Sequence, residues 1–387
     1  MKIVVAPDSF KGNLTALEVA DFIEAGIKQA DKNIEVIKIP VADGGEGTVE
    51  AIVAATGGKI IKQRVHGPFM EEIDSFFGIS GDGKTAVIEM AACSGIMLVK
   101  KEELNPLYTT TYGVGELILA AKKLGCDKIN LGIGGSATND GGMGMAQALG
   151  YKFYDRQNKL LGQGGKYLCE VERIDSTDFL KEIAGIEIVT ACDVNNPLCG
   201  PNGASYIYGP QKGADSETIE FLDQGLRHFA GVIKKDLGKD IAGIPGSGAA
   251  GGLGGGLMAF FNNARLCSGI DMVISSCNFD EAVKNCDLLI TGEGRTDSQT
   301  ANGKVVVGLA EVAEKYDVPV VCLSGSLMEG YQKIYELGVD AAFSNINAPM
   351  TLEEAIRFSP QMLTQASYSI ARLMLKIYPR AKTKQLQ

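Results

Sequence analysis

Lys2-Ile3-Val4-Val5-Ala6-Pro7-Asp8-Ser9-Phe10-Lys11-Gly12 opens the chain, and its order decides the fold. An apolar run ends at a proline and is followed at once by an acid, a cation and a glycine. That is the pattern of a buried strand stopping at a polar loop. Outward from it, residues 16–30 carry apolar side chains at helical spacing, 34–40 read as a second strand and 45–55 as a second helix. The last third repeats the alternation, with strands at 287–291, 318–323 and 340–343 and helices at 304–316, near Tyr331 and from Leu352 onward. Two β-α units plus three predict an α/β fold. A five-stranded parallel sheet covered on both faces, built from residues 1–65 and 287–387, is interrupted by a second, mixed α/β domain at 66–286.

Inside the insertion, 75–79 and 85–90 read as strands joined through Asp82-Gly83, a pair suited to a two-residue turn. A helix near 114–123, strands at 128–133 and 186–192, and a glycine-rich entry into 257–261 follow. The basic end, with Arg380, Lys382 and Lys384, reads as a frayed tail.

Composition removes whole classes of function. With 37 basic against 47 acidic side chains, ten net negative charges disfavour a broad nucleic-acid-binding face. Nine cysteines without a CxxC pair fit reduced thiols, so the cytoplasm is the expected compartment. The uncharged stretch 241–264 contains eight glycines and Pro245, too broken for a membrane helix. Only His66 and His228 are present, which excludes multi-histidine zinc sites and leaves little for a serine-histidine triad.

Asp8, Asp43, Asp193, Glu293 and Ser324 each stand just past an apolar run read as a strand, where open α/β sheets bind ligands. One such acid is more often a helix cap or turn residue. Five together, four acidic and most beside glycines, predict a site. Leu131-Gly132-Ile133-Gly134-Gly135-Ser136-Ala137-Thr138-Asn139-Asp140-Gly141-Gly142 adds a loop whose backbone N–H groups and hydroxyls suit a phosphate. Two tempting patterns fail on context. Residues 78–85 fit GxxxxGK[ST] letter for letter, but a strand rather than a helix follows Thr85. Residues 246–251 fit GxGxxG, but no strand precedes them, so close packing or a helix start facing an anion is expected. Cations near these loops are Lys11, Arg64, Lys212, Arg295 and Lys304; phosphoryl transfer needs such cations together with carboxylates for Mg2+.

The loops resemble one family along nearly the whole chain, the type-1 glycerate kinases. The resemblance rests on Ala6-Pro7-Asp8-Ser9-Phe10-Lys11-Gly12, Ala42-Asp43-Gly44-Gly45-Glu46-Gly47-Thr48, Gly134-Gly135-Ser136-Ala137-Thr138-Asn139-Asp140-Gly141-Gly142, Asn196-Pro197-Leu198 with Gly209-Pro210-Gln211-Lys212-Gly213-Ala214, and Gly292-Glu293-Gly294-Arg295-Thr296-Asp297. It implies ATP-dependent phosphorylation of D-glycerate at the 2-hydroxyl to give 2-phosphoglycerate, and a flavodoxin-like domain interrupted by an α/β domain.

Roles are read from residue chemistry. Gly134, Gly135, Ser136, Thr138 and Asn139, with Gly292, Gly294 and Asp297, would flank the nucleotide phosphates, while Asp193 and Glu293 would place Mg2+. Lys11 and Arg295 would stabilise the transferred phosphoryl group, and Asp8 or Asp193 would accept the hydroxyl proton. Ser9, Asp43 and Glu46 are assigned to the small-molecule substrate, with Arg64 or Lys212 as partner of its carboxylate. A cleft between the domains that closes on substrate is expected, with no membrane or nucleic-acid partner. The competing readings are transfer to the 3-hydroxyl or to another small hydroxy acid, a dinucleotide oxidoreductase drawing on 246–251, and a non-catalytic metabolite-binding module. The oligomeric state is not written in these motifs.

Overall fold

The computed structural model describes the chain apart from residues 180, 182, 184, 302–304, 386 and 387, and apart from the side chains of residues 378–385. An apolar strand needs backbone partners on both edges, and Lys2–Pro7 finds them in Leu288–Gly292 and Glu35–Lys38. The chain divides into two units, one formed by Met1–Asp43 with Val273–Gln387 and the other by Gly44–Met272.

In the first unit five parallel strands lie in the order Glu35–Lys38, Lys2–Pro7, Leu288–Gly292, Val320–Ser324, Ala341–Ser344. Numbered along the unit this is 2-1-3-4-5, so the winding reverses between Lys2–Pro7 and Leu288–Gly292. Side chains alternate across a strand, which sends Ile3, Val5, Leu288, Ile290, Val321 and Leu323 to one face. There they meet Val19, Ile23 and Ile27 of the helix Ala16–Ala30 and Leu363 and Ile370 of the helix Leu352–Gln385. Helix Val305–Glu314 touches the same strands without joining that cluster, so it covers the opposite face. Ala16–Ala30 starts on a capping box, in which Thr15 Oγ1 accepts the Glu18 N–H at 3.2 Å and Glu18 Oε2 accepts the Thr15 N–H at 2.9 Å. Gly26 sets how closely the two helices approach, because a Cβ there would collide with Ser367 Oγ and the Thr364 carbonyl.

The second unit carries six strands in the order Ala264–Cys267, Glu187–Ala191, Lys128–Gly132, Thr85–Glu89, Glu72–Ile79, Lys59–His66; the first four are parallel and the last two add antiparallel. Phe153, Phe229, Phe260 and Tyr151 form its aromatic centre, with ring centroids 4.9–6.3 Å apart. Ser216–Leu237 starts on Asp215, whose carboxylate accepts the Thr218 N–H at 2.8 Å, and ends on Gly238 at φ +71°.

Several expectations shift. The unit boundaries fall at 43/44 and 272/273 rather than 65/66 and 286/287. Helix Thr48–Thr56 packs on Thr85–Glu89, strand Lys59–His66 pairs with Glu72–Ile79, and helix Phe279–Val283 packs on Val305–Glu314. Lys304 lies outside the described residues. The hairpin at 78–85 is present, but its loop is wider than two residues. Asp82 organises it by accepting hydrogen bonds from Ser80 Oγ, Lys84 N–H, Thr85 N–H and Thr85 Oγ1 at 2.7–2.9 Å. The terminal helix runs to Gln385 instead of fraying at Arg380. No helix among the described residues is long and apolar enough to cross a membrane.

Candidate active site

The first group of site residues gathers at the carboxyl ends of the two central strands of the five-stranded sheet, where the winding reverses. Asp8 follows Lys2–Pro7 directly, its N–H bonded to the Gly292 carbonyl at 2.8 Å, and Glu293 follows Leu288–Gly292. Burial pushes the Asp8 carboxyl up to about 7; the negative charges of Asp43 and Glu293 push the same way, against the Ser9 N–H that Asp8 Oδ1 accepts at 2.6 Å.

Glu293 is held from behind by hydroxyls. Its Oε1 accepts Thr300 Oγ1 at 2.6 Å and Thr296 Oγ1 at 3.1 Å, and Thr296 Oγ1 lies 2.7 Å from buried Ser324 Oγ. Gly294 brings this loop onto the Phe10–Lys11 backbone: a Cβ there would stand 3.3 Å from Phe10 Cα and 3.4 Å from the Lys11 nitrogen. The Lys11 side chain is exposed and has no ion-pair partner among the described residues, whereas Arg295 is paired with Asp297 at 3.1 Å. Asp8, Ser9, Lys11, Asp43, Gly292, Glu293, Gly294, Arg295 and Asp297 therefore belong to one neighbourhood of the first unit.

The second group lies past the carboxyl ends of the parallel strands in the six-stranded sheet. After Lys128–Gly132 the chain turns through exposed Gly134 and Gly135, with Gly135 at φ +71° and its carbonyl accepting the Ile96 N–H at 2.8 Å. The N–H groups of Gly134, Gly135 and Ser136 donate to no protein acceptor among the described residues. Successive N–H groups in such a turn form a concavity suited to an anion. Behind it Asp140 is fully buried and accepts N–H groups of Thr111, Gly142 and Gly144 at 2.8–3.2 Å; burial raises its carboxyl above the usual range. Asn139 Nδ2 donates to Ser205 Oγ at 2.8 Å, while Thr138 Oγ1 and Asn139 Oδ1 are buried with no partner among the described residues.

Gly44 and Gly45 cross the same strand ends. A Cβ on Gly134 would stand 3.4 Å from Gly45 Cα, one on Gly132 would collide with the Gly44 carbonyl, and Gly44 itself packs against Ala191 and Gly269. This leaves Glu46 exposed beside the glycine loop and brings in Asp193, whose Oδ1 accepts the Gly269 N–H at 2.9 Å.

Two assignments need correction. Arg64 sits on the edge strand Lys59–His66, its side chain 68% exposed and paired with Glu72 at 3.2 Å, so it joins neither loop group. Lys212 is in the site's neighbourhood but inside it: only 1% exposed, it donates to Ser136 Oγ at 2.7 Å and to the Thr138 carbonyl at 2.6 Å. It has no surface left for a substrate carboxylate.

Glu89 was missed. It ends strand Thr85–Glu89, accepts the Val49 N–H at 2.8 Å at the start of helix Thr48–Thr56, and is pushed up to about 7 by burial, with Glu50 and Glu46 adding to the shift. An acid at the last position of a predicted strand was the available signal; reading 85–90 as a purely structural hairpin arm hid it. The 246–251 loop is explained by packing. A Cβ on Gly251 would collide with the Thr138 carbonyl, Gly248 N–H donates to the Asn196 carbonyl at 3.0 Å, and Gly141 N–H donates to the Gly251 carbonyl at 3.0 Å. These glycines buttress the 134–142 loop.

No cluster of three His, Cys, Asp or Glu side chains that would cage a metal occurs among the described residues. Mg2+ accompanying a nucleotide takes one or two carboxylates and completes its shell with phosphate oxygens and water. Glu293, oriented by the Thr296 and Thr300 hydroxyls, is a carboxylate of the kind such an ion takes.

The model of the glycerate kinase family matches residues 3–375. The glycerate 2-kinase of Escherichia coli K12 is 50% identical over 371 residues, 96% of this chain and 97% of the relative. The glycerate kinase of Halalkalibacterium halodurans is 49% identical over 369 residues, 95% of this chain and 97% of the relative. A crystal structure from Salmonella typhimurium LT2, described as glycerate kinase 2, superposes with a TM-score of 0.90 at 44% identity, covering 98% of this chain and 99% of its own. With matches of this extent in both sequence and structure, the chain belongs to the glycerate kinase family.

Proposed function

We propose that this enzyme transfers the γ-phosphoryl group of ATP to the 2-hydroxyl of D-glycerate, giving 2-phosphoglycerate and ADP. The observation that carries the reading is the carboxyl group of Asp8 at the reversal point of the five-stranded sheet, buried near the charges of Asp43 and Glu293 and raised to about 7. A base poised near neutral pH is suited to accept a hydroxyl proton as the oxygen attacks phosphorus. Lys11 supplies positive charge where negative charge develops on the transferred group, and Arg295, already oriented by Asp297, supplements it. The 2-hydroxyl assignment draws on the similarity to the Escherichia coli glycerate 2-kinase.

The nucleotide phosphates rest on the N–H groups of Gly134, Gly135 and Ser136 in this reading. Glu293, fixed by Thr296 and Thr300, and Asp193 are the carboxylates assigned to Mg2+, whose chemistry is charge neutralisation on the phosphates. Ser9, Asp43 and Glu46 remain assigned to glycerate. Strand order 2-1-3-4-5 supports the flavodoxin-like description of the first unit. Nine free cysteines support a cytoplasmic setting. A coupled ADP-release assay across small hydroxy acids, with phosphorus NMR of the product, tests the reading. A 3-phosphoglycerate signal, or turnover faster with another hydroxy acid, overturns it.

A further inference from the structure

We propose that Lys212 is a positioning residue, bracing the 134–139 loop from beneath so that the loop presents its N–H groups to the nucleotide phosphates; this rests on the nucleotide reading above. The geometry admits no direct role. At 1% exposure the ammonium is sealed inside the unit, and two of its hydrogens are committed to Ser136 Oγ and the Thr138 carbonyl at 2.7 and 2.6 Å. Those two bonds draw the loop's acceptors inward at one end. The N–H groups of Gly134, Gly135 and Ser136 have no protein acceptor among the described residues, and Gly134 and Gly135 are exposed. The Thr138 carbonyl is also crowded by Gly251, where any side chain would collide, so the loop is clamped from two sides. Burying an ammonium is costly, and a methionine would fill similar volume without that cost. The lysine is there for its hydrogen-bond donors.

A second consequence follows from where that charge sits. Burial pushes the Lys212 ammonium down to about 7, opposed by Asp140, the charged group acting on it among the described residues. Above that pH the amine is largely neutral in the empty loop. A polyphosphate one hydrogen bond beyond Ser136 favours the charged form and raises the pKa, so binding draws in a proton. Uptake by this group, taken as the difference between wild type and Lys212→Met so that the probe's own ionisation cancels, should be large at pH 8 and fall away at pH 6, where the ammonium is already charged.

The test is titration calorimetry at pH 8 and pH 6, in buffers of different ionisation heat, with a non-hydrolysable ATP analogue and with inorganic triphosphate as probes. The wild type is expected to take up a large fraction of a proton per ligand at pH 8. Lys212→Met should bind both probes at least tenfold more weakly, without that uptake and with an unchanged KM for glycerate. Lys212→Arg, permanently charged, should recover part of the affinity without uptake. Ser136→Ala, which leaves the lysine in place, should lose affinity several-fold yet keep the uptake, and it serves if the methionine variant does not fold. Equal buffer dependence of the heats in wild type and Lys212→Met overturns the coupling. A folded Lys212→Met or Ser136→Ala variant with wild-type affinity overturns the brace. Probe binding without turnover of glycerate would sink the substrate reading alone, whereas binding of neither probe would sink this inference even if glycerate is phosphorylated.

Discussion

The two units solve the same electrostatic problem with opposite signs. In the first, three acids crowd the reversal point of a parallel sheet until one of them, Asp8, holds its proton up to about pH 7. In the second, a buried lysine beneath a glycine loop gives up its proton near the same pH, while the N–H groups of Gly134, Gly135 and Ser136 have no protein acceptor among the described residues. The difference teaches what each region awaits. Excess negative charge is relieved by a cation or by a proton received from a substrate, and excess donor capacity is relieved by an anion.

The sharpest way to break this contrast is Asp8→Asn. It removes the proposed base and should lower kcat by a factor of about 10²–10⁴, with melting unchanged or raised because a desolvated acid is lost; activity within tenfold of wild type would remove Asp8 from the mechanism. Next comes a pair of lysines. Lys11→Ala should cost about 10²–10³ in turnover, while Lys84→Ala stays near wild type, since Lys84 lies 68% exposed at the hairpin loop, 4.0 Å from Asp127. The reverse pattern at saturating ATP and glycerate would restore the literal phosphate-loop motif.

Glu89→Gln probes whether the second unit carries its own acid strain. The Glu89 carboxyl rises from 4.5 to about 7 on folding, so its contribution to stability is full below pH 4.5 and is lost as pH climbs through 7. The glutamine variant should match wild type near pH 4.5 and exceed it by about 1–3 kcal/mol at pH 8. Denaturant melts showing the same difference at both pH values would show that the shift is absent. The smallest effect belongs to Asp43→Asn. Removing one like charge should lower the Asp8 pKa and slide the acid limb of kcat/KM to lower pH by a fraction of a unit. An acid limb that does not move would detach Asp43 from that group.

The outline of both regions was legible because strand ends announce themselves. Apolar runs such as 288–291, followed by Gly292-Glu293-Gly294, give the sheet and the site together. The register of helix Thr48–Thr56 was not legible, because its amphipathic pattern suits either sheet and its partner Thr85–Glu89 was read as a hairpin arm. Lys212 shows the limit most clearly. Sequence places a lysine beside a glycine loop, but whether its ammonium faces ligand or interior depends on Ser136 and Thr138, more than 70 positions away. Arg64 erred the other way, since alternation along an edge strand points it to solvent and to Glu72.

The division of the first unit has a consequence for how the chain is made. Strands Lys2–Pro7 and Glu35–Lys38 leave the ribosome early, but Leu288–Gly292, the partner that seats Lys2–Pro7 at the sheet centre, is 285 residues later in register, and the helix that packs around Gly26 is at the carboxyl end. The second unit is contiguous and can collapse while the last hundred residues are still unmade. An amino-terminal apolar strand must therefore wait through most of translation with one edge unpaired, exposed to aggregation and to chaperones. Truncation of the terminal helix should accordingly be read in the yield of intact protein before it is read in rate.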